Sequence, residues 1–127
     1  MKTSADTNRF LLWAPRILAI VFSLFLSIFA ADVFESHAGF WSLALALFMH
    51  LLPVLLMLLV LIVSWRYEWV GAIVYSLLGV VYIIWAWGRF PLSVYFFIAG
   101  PLFIIAILFF LSWRRRKSIF NNEEVLN

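Results

Sequence analysis

The chain has 127 residues, of which 67% are hydrophobic and only 12% charged, and its mean hydropathy is +1.10. A soluble domain of this size could not bury so much apolar surface, so we expect lipid to cover much of it, with room for about four membrane crossings and no separate soluble domain. The chain contains no Cys, which excludes disulfides, zinc–thiolate sites, iron–sulfur clusters and thiol nucleophiles, and its net charge of +3 comes from basic residues beside apolar runs, so it does not indicate nucleic-acid binding.

The first predicted helix spans about residues 14–33 and begins after a short polar N-terminus. Pro15 suits its first turn, because the N–H that proline lacks has no helical partner there. The bulky residues Ile28 and Phe29 stand where a signal-peptide cleavage site needs a small residue. We therefore predict a retained membrane anchor rather than a cleaved leader.

Three further apolar runs predict three more membrane-spanning helices. An exposed link over residues 34–40 precedes the second, at about 41–64. The third is expected at about 69–87 and the fourth at about 91–113, each long enough to cross the apolar core of a bilayer. Residues 114–127 read as a polar tail. The predicted fold class is all-α, a single four-transmembrane-helix bundle.

Gly100-Pro101 interrupts the pattern of the fourth predicted helix. Pro101 cannot donate a hydrogen bond to the carbonyl of Phe97, and its ring crowds that carbonyl. We therefore expect the helix axis to bend there by more than about 20°.

Tryptophans and charges mark the two predicted membrane faces. The seven tryptophans fall at predicted helix ends, as in an interfacial aromatic belt: Trp13, Trp41, Trp65, Trp69, Trp85, Trp87 and Trp113. One face collects most of the basic residues: Lys2, Arg9, Arg16, Arg66 and Arg114 to Lys117. The other face has Arg89 with Asp32 and Glu35. The positive-inside rule then predicts that both termini are cytoplasmic, the N-in/C-in topology.

Four stretches carry a resemblance to known proteins: WAPR at 13–16, WRYEWVG at 65–71, Gly100-Pro101, and His50 with Pro53. Together they resemble a family of uncharacterised small bacterial membrane proteins, grouped as a domain of unknown function. The first two stretches are the specific ones, because apolar helices match one another easily. The resemblance implies a four-helix membrane fold and no known activity.

His50 is the one histidine inside an apolar run, and it lies near the middle of its predicted span. It shares one helical face with small or polar neighbours: Ser42, Ala46, Pro53 and Met57. Ionisable groups at such depth are rare and are candidates for function. The functional hypothesis is a proton-handling or ligand-contacting site, and the structural alternative is a neutral imidazole bonded to a neighbouring helix.

Other spans offer polar partners for His50. Tyr75 and Tyr82 lie on one stripe of the third predicted helix with Gly71 and Gly79, and Ser27 lies in the first. Small-residue stripes are typical of helix-packing seams, and tyrosine hydroxyls need partners in lipid. We therefore predict an intramembrane polar site of His50, Tyr75, Tyr82 and Ser27. In it, His50 faces the bundle interior and bonds to Tyr82 or Ser27.

Charged residues at the basic face suggest two further roles. Arg16 and Glu68 should lie at the same level, so an ion pair between them is one prediction, and separate headgroup contacts are the alternative. The cluster Arg114, Arg115, Arg116 and Lys117 is predicted to be a topological anchor that attracts anionic lipid headgroups.

No catalytic motif stands out in the sequence. It contains no metal-ligand spacing, glycine-rich phosphate loop or serine nucleophile elbow, and no carboxylate lies mid-span. A small multidrug exporter would need an acidic residue deep in the first helix, but the centre of this helix has only Ser23 and Ser27, and Asp32 lies at its rim. We predict a non-enzymatic, multi-pass protein of a bacterial inner membrane, with no cofactor and no metal, acting through helix packing with itself or a membrane-protein partner. The alternative is a transporter or channel component using His50 and the tyrosines of the third helix.

Overall fold

The computed structural model describes residues 4–35 and 39–126 and confirms the all-α prediction. The described chain forms α1 (Ser4–Ile28), α2 (Phe40–Arg66), α3 (Glu68–Ala86) and α4 (Leu92–Leu126), with a 3₁₀ segment (Phe29–Glu35) after α1. These four helices are each long and apolar enough to cross a membrane, α1 together with its 3₁₀ continuation. Residues 36–38 of the predicted exposed link lie outside the described residues.

The four helices are arranged as a ring in which each packs against two neighbours. α1 contacts α2 and α4, and α3 contacts the same two helices, so α1 and α3 lie diagonally opposite. The most extensive contact is between α3 and α4. Buried side chains from all four helices form the core: Ala19, Phe22, Met57, Val60, Leu61, Tyr75, Leu102, Ile105, Ala106 and Phe109. α4 therefore supplies the largest share of the core.

The close packing of α3 against α2 and α4 depends on two glycines. A Cβ at Gly71 would lie within 2.9 Å of both the Ser64 hydroxyl of α2 and the Phe109 ring of α4. A Cβ at Gly79 would lie 2.9 Å from the Phe103 ring. Close backbone approach at small residues is how helices associate in lipid, so the predicted packing stripe on this helix is confirmed at both glycines.

The ends of α1 and α4 differ from the predicted boundaries. α1 begins at Ser4 instead of near residue 14, and α4 continues to Leu126, through Gly100-Pro101 and beyond residue 113. The 35 residues of α4 measure about 52 Å at 1.5 Å each, against an apolar bilayer core of about 30 Å. The two extensions run beside each other, and Arg115 of α4 donates a hydrogen bond to Asn8 of α1. Both extensions are therefore helical and lie close together, where a polar N-terminus and a polar tail were predicted.

α2 is packed along only part of its length. Its buried residues are all in its second half: Val54, Met57, Val60, Leu61 and Ser64. In its first half, Trp41 is 83% exposed and Met49 is 62% exposed. The core therefore lies against the second half of α2, whereas the first half is only partly covered, and α2 also contacts the 3₁₀ segment.

Candidate functional site

A buried carboxylate lies at the end of the bundle that holds Trp13, Glu68 and Arg116, which we call the basic end. Glu68 is the first residue of α3, where the helix dipole favours a negative charge. Its side chain is 3% exposed and accepts a hydrogen bond at 3.0 Å from the Arg116 guanidinium of α4, which is 46% exposed. The second carboxylate oxygen, Oε2, is buried and has no hydrogen-bond partner among the described residues. A charge-assisted bond therefore joins α3 to α4 at this end.

Arg16 of α1 lies between two tryptophans at the same end. The centre of its guanidinium is 5.7 Å from the Trp13 ring and 5.8 Å from the Trp65 ring, within cation–π range. Its Nη2 makes a long 3.5 Å hydrogen bond to the Trp65 carbonyl, and its Nε is buried without a partner among the described residues. This contact attaches α1 to the end of α2.

The predicted ion pair between Arg16 and Glu68 is wrong in its partner. Glu68 is paired with Arg116, and Arg16 acts on the carboxylate only through the electrostatic field. The prediction placed both groups at the correct level, but it treated residues after 113 as a tail. Because α4 continues as a helix, Arg116 is held beside α3 and pairs with the Glu68 carboxylate in place of Arg16.

A small notch lies at the basic end, between the extensions of α1 and α4. Its volume is about 100 Å³. Its polar lining is Asn8, Ser112, Arg115 and Arg116, and its apolar lining is Leu11, Leu12 and Ile119. Arg115 Nη1 donates to the Asn8 side-chain oxygen at 3.2 Å. Ser112 is buried and makes no hydrogen bond within the described residues.

The other two members of the basic cluster are stacked on their own helix. Arg114 lies 5.9 Å above the Phe110 ring, and the Lys117 ammonium lies 5.6 Å above the Trp113 ring. The cluster predicted as one headgroup anchor thus divides into two residues that line the notch and two that do not. The anchoring role itself stays a prediction.

His50 does not face a packed interior, so that prediction is wrong. Its side chain is exposed, and its Nδ1 lies 2.9 Å from the carbonyl oxygen of Ala46, one turn earlier in the same helix. Met57 follows His50 by seven residues and points within about 20° of the same direction, yet Met57 is 3% exposed. The predicted face is therefore the one that enters the core further along α2, and among the described residues His50 itself is left exposed.

The other members of the predicted polar site make bonds elsewhere. Tyr75 is fully buried, donates a hydrogen bond to the Met57 carbonyl at 2.8 Å and stacks on the Phe109 ring. Tyr82 is half-buried beside the Tyr95 ring, and Ser27 donates to the carbonyl of Ser23 in its own helix at 2.8 Å. No described hydrogen bond links either tyrosine or Ser27 to His50, so the structure does not assemble these four residues into one site.

At the end opposite the basic end, an apolar groove of about 540 Å³ separates the last turn of α3 from the first turns of α4. It is lined mostly by aromatic and aliphatic residues, among them Ile83, Trp87, Phe96 and Phe103. Tyr95 closes its side by donating a hydrogen bond to the Ala86 carbonyl. The groove has almost no polar surface, so it offers no group for chemistry.

Sequence reasoning missed Asn8 and Ser112 as parts of a site, and it gave Arg116 only as part of the headgroup anchor. Asn8 and Arg116 fall in stretches interpreted as polar termini, and Ser112 falls at the end of an apolar run. A helical signal was present after residue 113, since Arg, Lys and Glu are good helix formers. Only the contact between the two extensions brings the three residues together.

Comparison with known proteins gives one match. Residues 1–121 match the family described as Domain of unknown function (DUF7670). No curated protein and no solved structure matches the chain.

Proposed function

The chain belongs to the family of the domain of unknown function DUF7670, and we propose that it is a non-enzymatic, multi-pass protein of a bacterial inner membrane that acts by self-assembly through α2. The assembling surface is the open face of the first half of α2, which carries Ala46 and His50. The exposed imidazole in the middle of a membrane-spanning helix is the observation that supports this function most directly.

An imidazole at this depth is costly to leave in lipid. One ring nitrogen of His50 is satisfied by the Ala46 carbonyl, but the other has no hydrogen-bond partner among the described residues. Hydrocarbon offers neither donors nor acceptors, so polar side chains in spans normally face protein or a water-filled cavity. A helix from a second copy would supply both the cover and the partner.

The surroundings of His50 suit a helix as the occupant. Met57 points in the same direction as His50 and is buried in the core. The exposed stretch around His50 therefore continues a packing face of α2 and not a lipid-facing one. Ala46 is small and lies one turn before His50, which allows close backbone approach. Symmetric pairing of the two α2 helices would place this face against itself, as in most two-fold oligomers.

Single-cysteine cross-linking tests this assembly, and the absence of native Cys makes the chain well suited to it. Ala46→Cys retains His50 and should form a disulfide-linked dimer on oxidation in native membranes, because cross-linking requires Cα atoms within about 7 Å. Leu52→Cys is the matched control, since Leu52 is 49% exposed, lies two residues from His50 and points about 200° away from it. We expect a dimer band for Ala46→Cys alone.

Two results would overturn the proposal. Absence of a dimer from Ala46→Cys would mean that a different protein, or lipid, covers the face. Equal dimer formation by both variants would mean random collision. His50→Gln retains hydrogen-bonding capacity and should still cross-link through Ala46→Cys, which separates assembly from any proton-handling by the imidazole.

A further inference from the structure

We propose that the notch at the basic end binds the phosphate group of an anionic phospholipid. The inference is independent of assembly through α2, because the notch lies between α1 and α4 and α2 does not line it. Its volume of about 100 Å³ admits one small anionic group rather than a larger ligand.

Hydrogen bonds within the chain position both arginines of the notch before any anion binds. Arg115 is held by Asn8 of α1, and Arg116 is held by Glu68 of α3. A guanidinium has five N–H donors, and each of these uses one donor in a described hydrogen bond, so most donors stay open towards a ligand. The planar fork matches phosphate oxygens in pairs, and fixing the side chains beforehand lowers the ordering cost of binding.

Ser112 supplies a second, uncharged donor. The residue is 6% exposed, lines the notch and makes no hydrogen bond within the described residues, unlike Ser23, Ser64 and Ser76, whose hydroxyls bond to their own helices. The Ser112 hydroxyl is not one of the fully buried atoms that lack a partner, so it is accessible from the notch that the residue lines. A phosphate oxygen in the notch would accept its hydrogen bond.

The charge of the notch also favours an anion. Arg115 and Arg116 bring two positive charges, and Glu68 brings one negative charge, which leaves the notch positive. Arg114 and Lys117 on the same helix add to the field. An anion would therefore be attracted here from either the lipid surface or the surrounding water.

The level of the notch and its apolar lining favour lipid over free phosphate. Trp113 lies one residue after Ser112 and Trp13 lies one after Leu12, and tryptophans concentrate at headgroup level. Leu11, Leu12 and Ile119 form the remaining lining. Such a surface would contact the glycerol and upper acyl carbons of a phospholipid, whereas free phosphate would gain nothing from it.

Two variants with equal charge change test the site. Arg115→Gln removes a notch-lining guanidinium, and Arg114→Gln removes one that lies outside the notch. Native mass spectrometry of the purified full chain, titrated with phosphatidylglycerol, gives the affinity for the first bound lipid. We expect Arg115→Gln to weaken it about tenfold, as loss of a paired charge-assisted contact does, and Arg114→Gln to change it less than about twofold.

A third variant tests positioning without changing the charge. Asn8→Ala leaves every guanidinium in place but frees Arg115, and it should weaken binding about threefold. Thermal unfolding of each variant checks that the bundle is intact. This is expected, because Arg115, Arg114 and Asn8 are exposed.

Three outcomes would overturn the proposal. Equal weakening by Arg114→Gln and Arg115→Gln would indicate diffuse attraction to the basic surface. Equal affinity for phosphatidylcholine and phosphatidylglycerol would remove the anionic specificity. Displacement of phosphatidylglycerol by millimolar inorganic phosphate would assign the notch to free phosphate instead of lipid.

Discussion

The packing of α3 depends on the absence of a side chain at Gly71. The change in the free energy of unfolding caused by Gly71→Ala measures this dependence. The added Cβ would lie 2.7 Å from the Ser64 hydroxyl and 2.8 Å from the Phe109 ring, where ordinary contacts begin at about 3.4 Å. Ser64 is fully buried and bonded to the Val60 carbonyl, and Phe109 is 1% exposed and stacked on Tyr75. Neither neighbour has room to retreat, so the helices themselves must move apart.

Two opposing effects set the size of the loss. Overpacking a close-packed core costs about 1–3 kcal/mol. Replacing a helical glycine by alanine returns about 1 kcal/mol through helix propensity. The clash at Gly71 involves two buried side chains, which places its cost in the upper half of that range, about 2–3 kcal/mol, so the free energy of unfolding should fall by about 1–2 kcal/mol. Gly100→Ala is the matched control, because a Cβ there meets nothing within 4 Å, and the proline that follows limits any gain. Its expected change is smaller than about 1 kcal/mol.

The measurement is reversible unfolding in mixed micelles, followed by the fluorescence of the seven tryptophans. Phe109→Leu supplies a second check, because removing the ring relieves one of the contacts. Gly71→Ala should therefore cost less in the Phe109→Leu background than in the parent chain. A Gly71→Ala chain as stable as the parent, or a Gly100→Ala chain that loses as much, would refute this account of the packing of α3.

Three more predictions follow from the fold. Tyr75→Phe removes the hydrogen bond to the Met57 carbonyl and should lower the free energy of unfolding in the same titration by about 0.6 kcal/mol, the average for bonds between membrane helices, and a loss above about 2 kcal/mol would contradict this account. An oxidation-dependent reporter fused to the C-terminus should be inactive, because the basic face is predicted to be cytoplasmic, and an active reporter would reverse the topology. The axis of α4 should bend by more than about 20° at Gly100-Pro101, and an experimental structure with collinear axes on either side would rule this out.

The apolar spans could be predicted because a helix that crosses lipid needs a long apolar run. For α2, the run predicted a helix at 41–64, and the helix spans Phe40–Arg66. The outer ends of α1 and α4 were not predictable in the same way. Their polar composition was interpreted as that of tails, and their meeting joins residues 107 positions apart, Asn8 and Arg115, which no local pattern encodes. The partner of Glu68 was missed for the same reason, since Arg116 reaches it only because α4 continues as a helix.

His50 illustrates a different limit. It points in the same direction as Met57, which is buried in the core, but His50 itself is exposed, so the prediction that it faces the bundle interior is wrong. In lipid, the exposed and buried faces of a helix are both apolar, so periodicity gives the direction of a side chain without saying whether a neighbour stands there. Whether a neighbour stands there depends on depth, and the core lies against only the second half of α2.

The polar groups of the chain therefore fall into two sets with different requirements. At the basic end, Glu68 and Arg116 find partners within the chain, so their substitution should act on the folding of a single copy. Among the described residues, His50 bonds only to a carbonyl of its own helix, and in the proposed assembly a second copy provides the partner for its other ring nitrogen. A bulky substitution on the face of Ala46 and His50, unlike His50→Gln, should consequently reduce cross-linking between copies while leaving the unfolding of each copy unchanged.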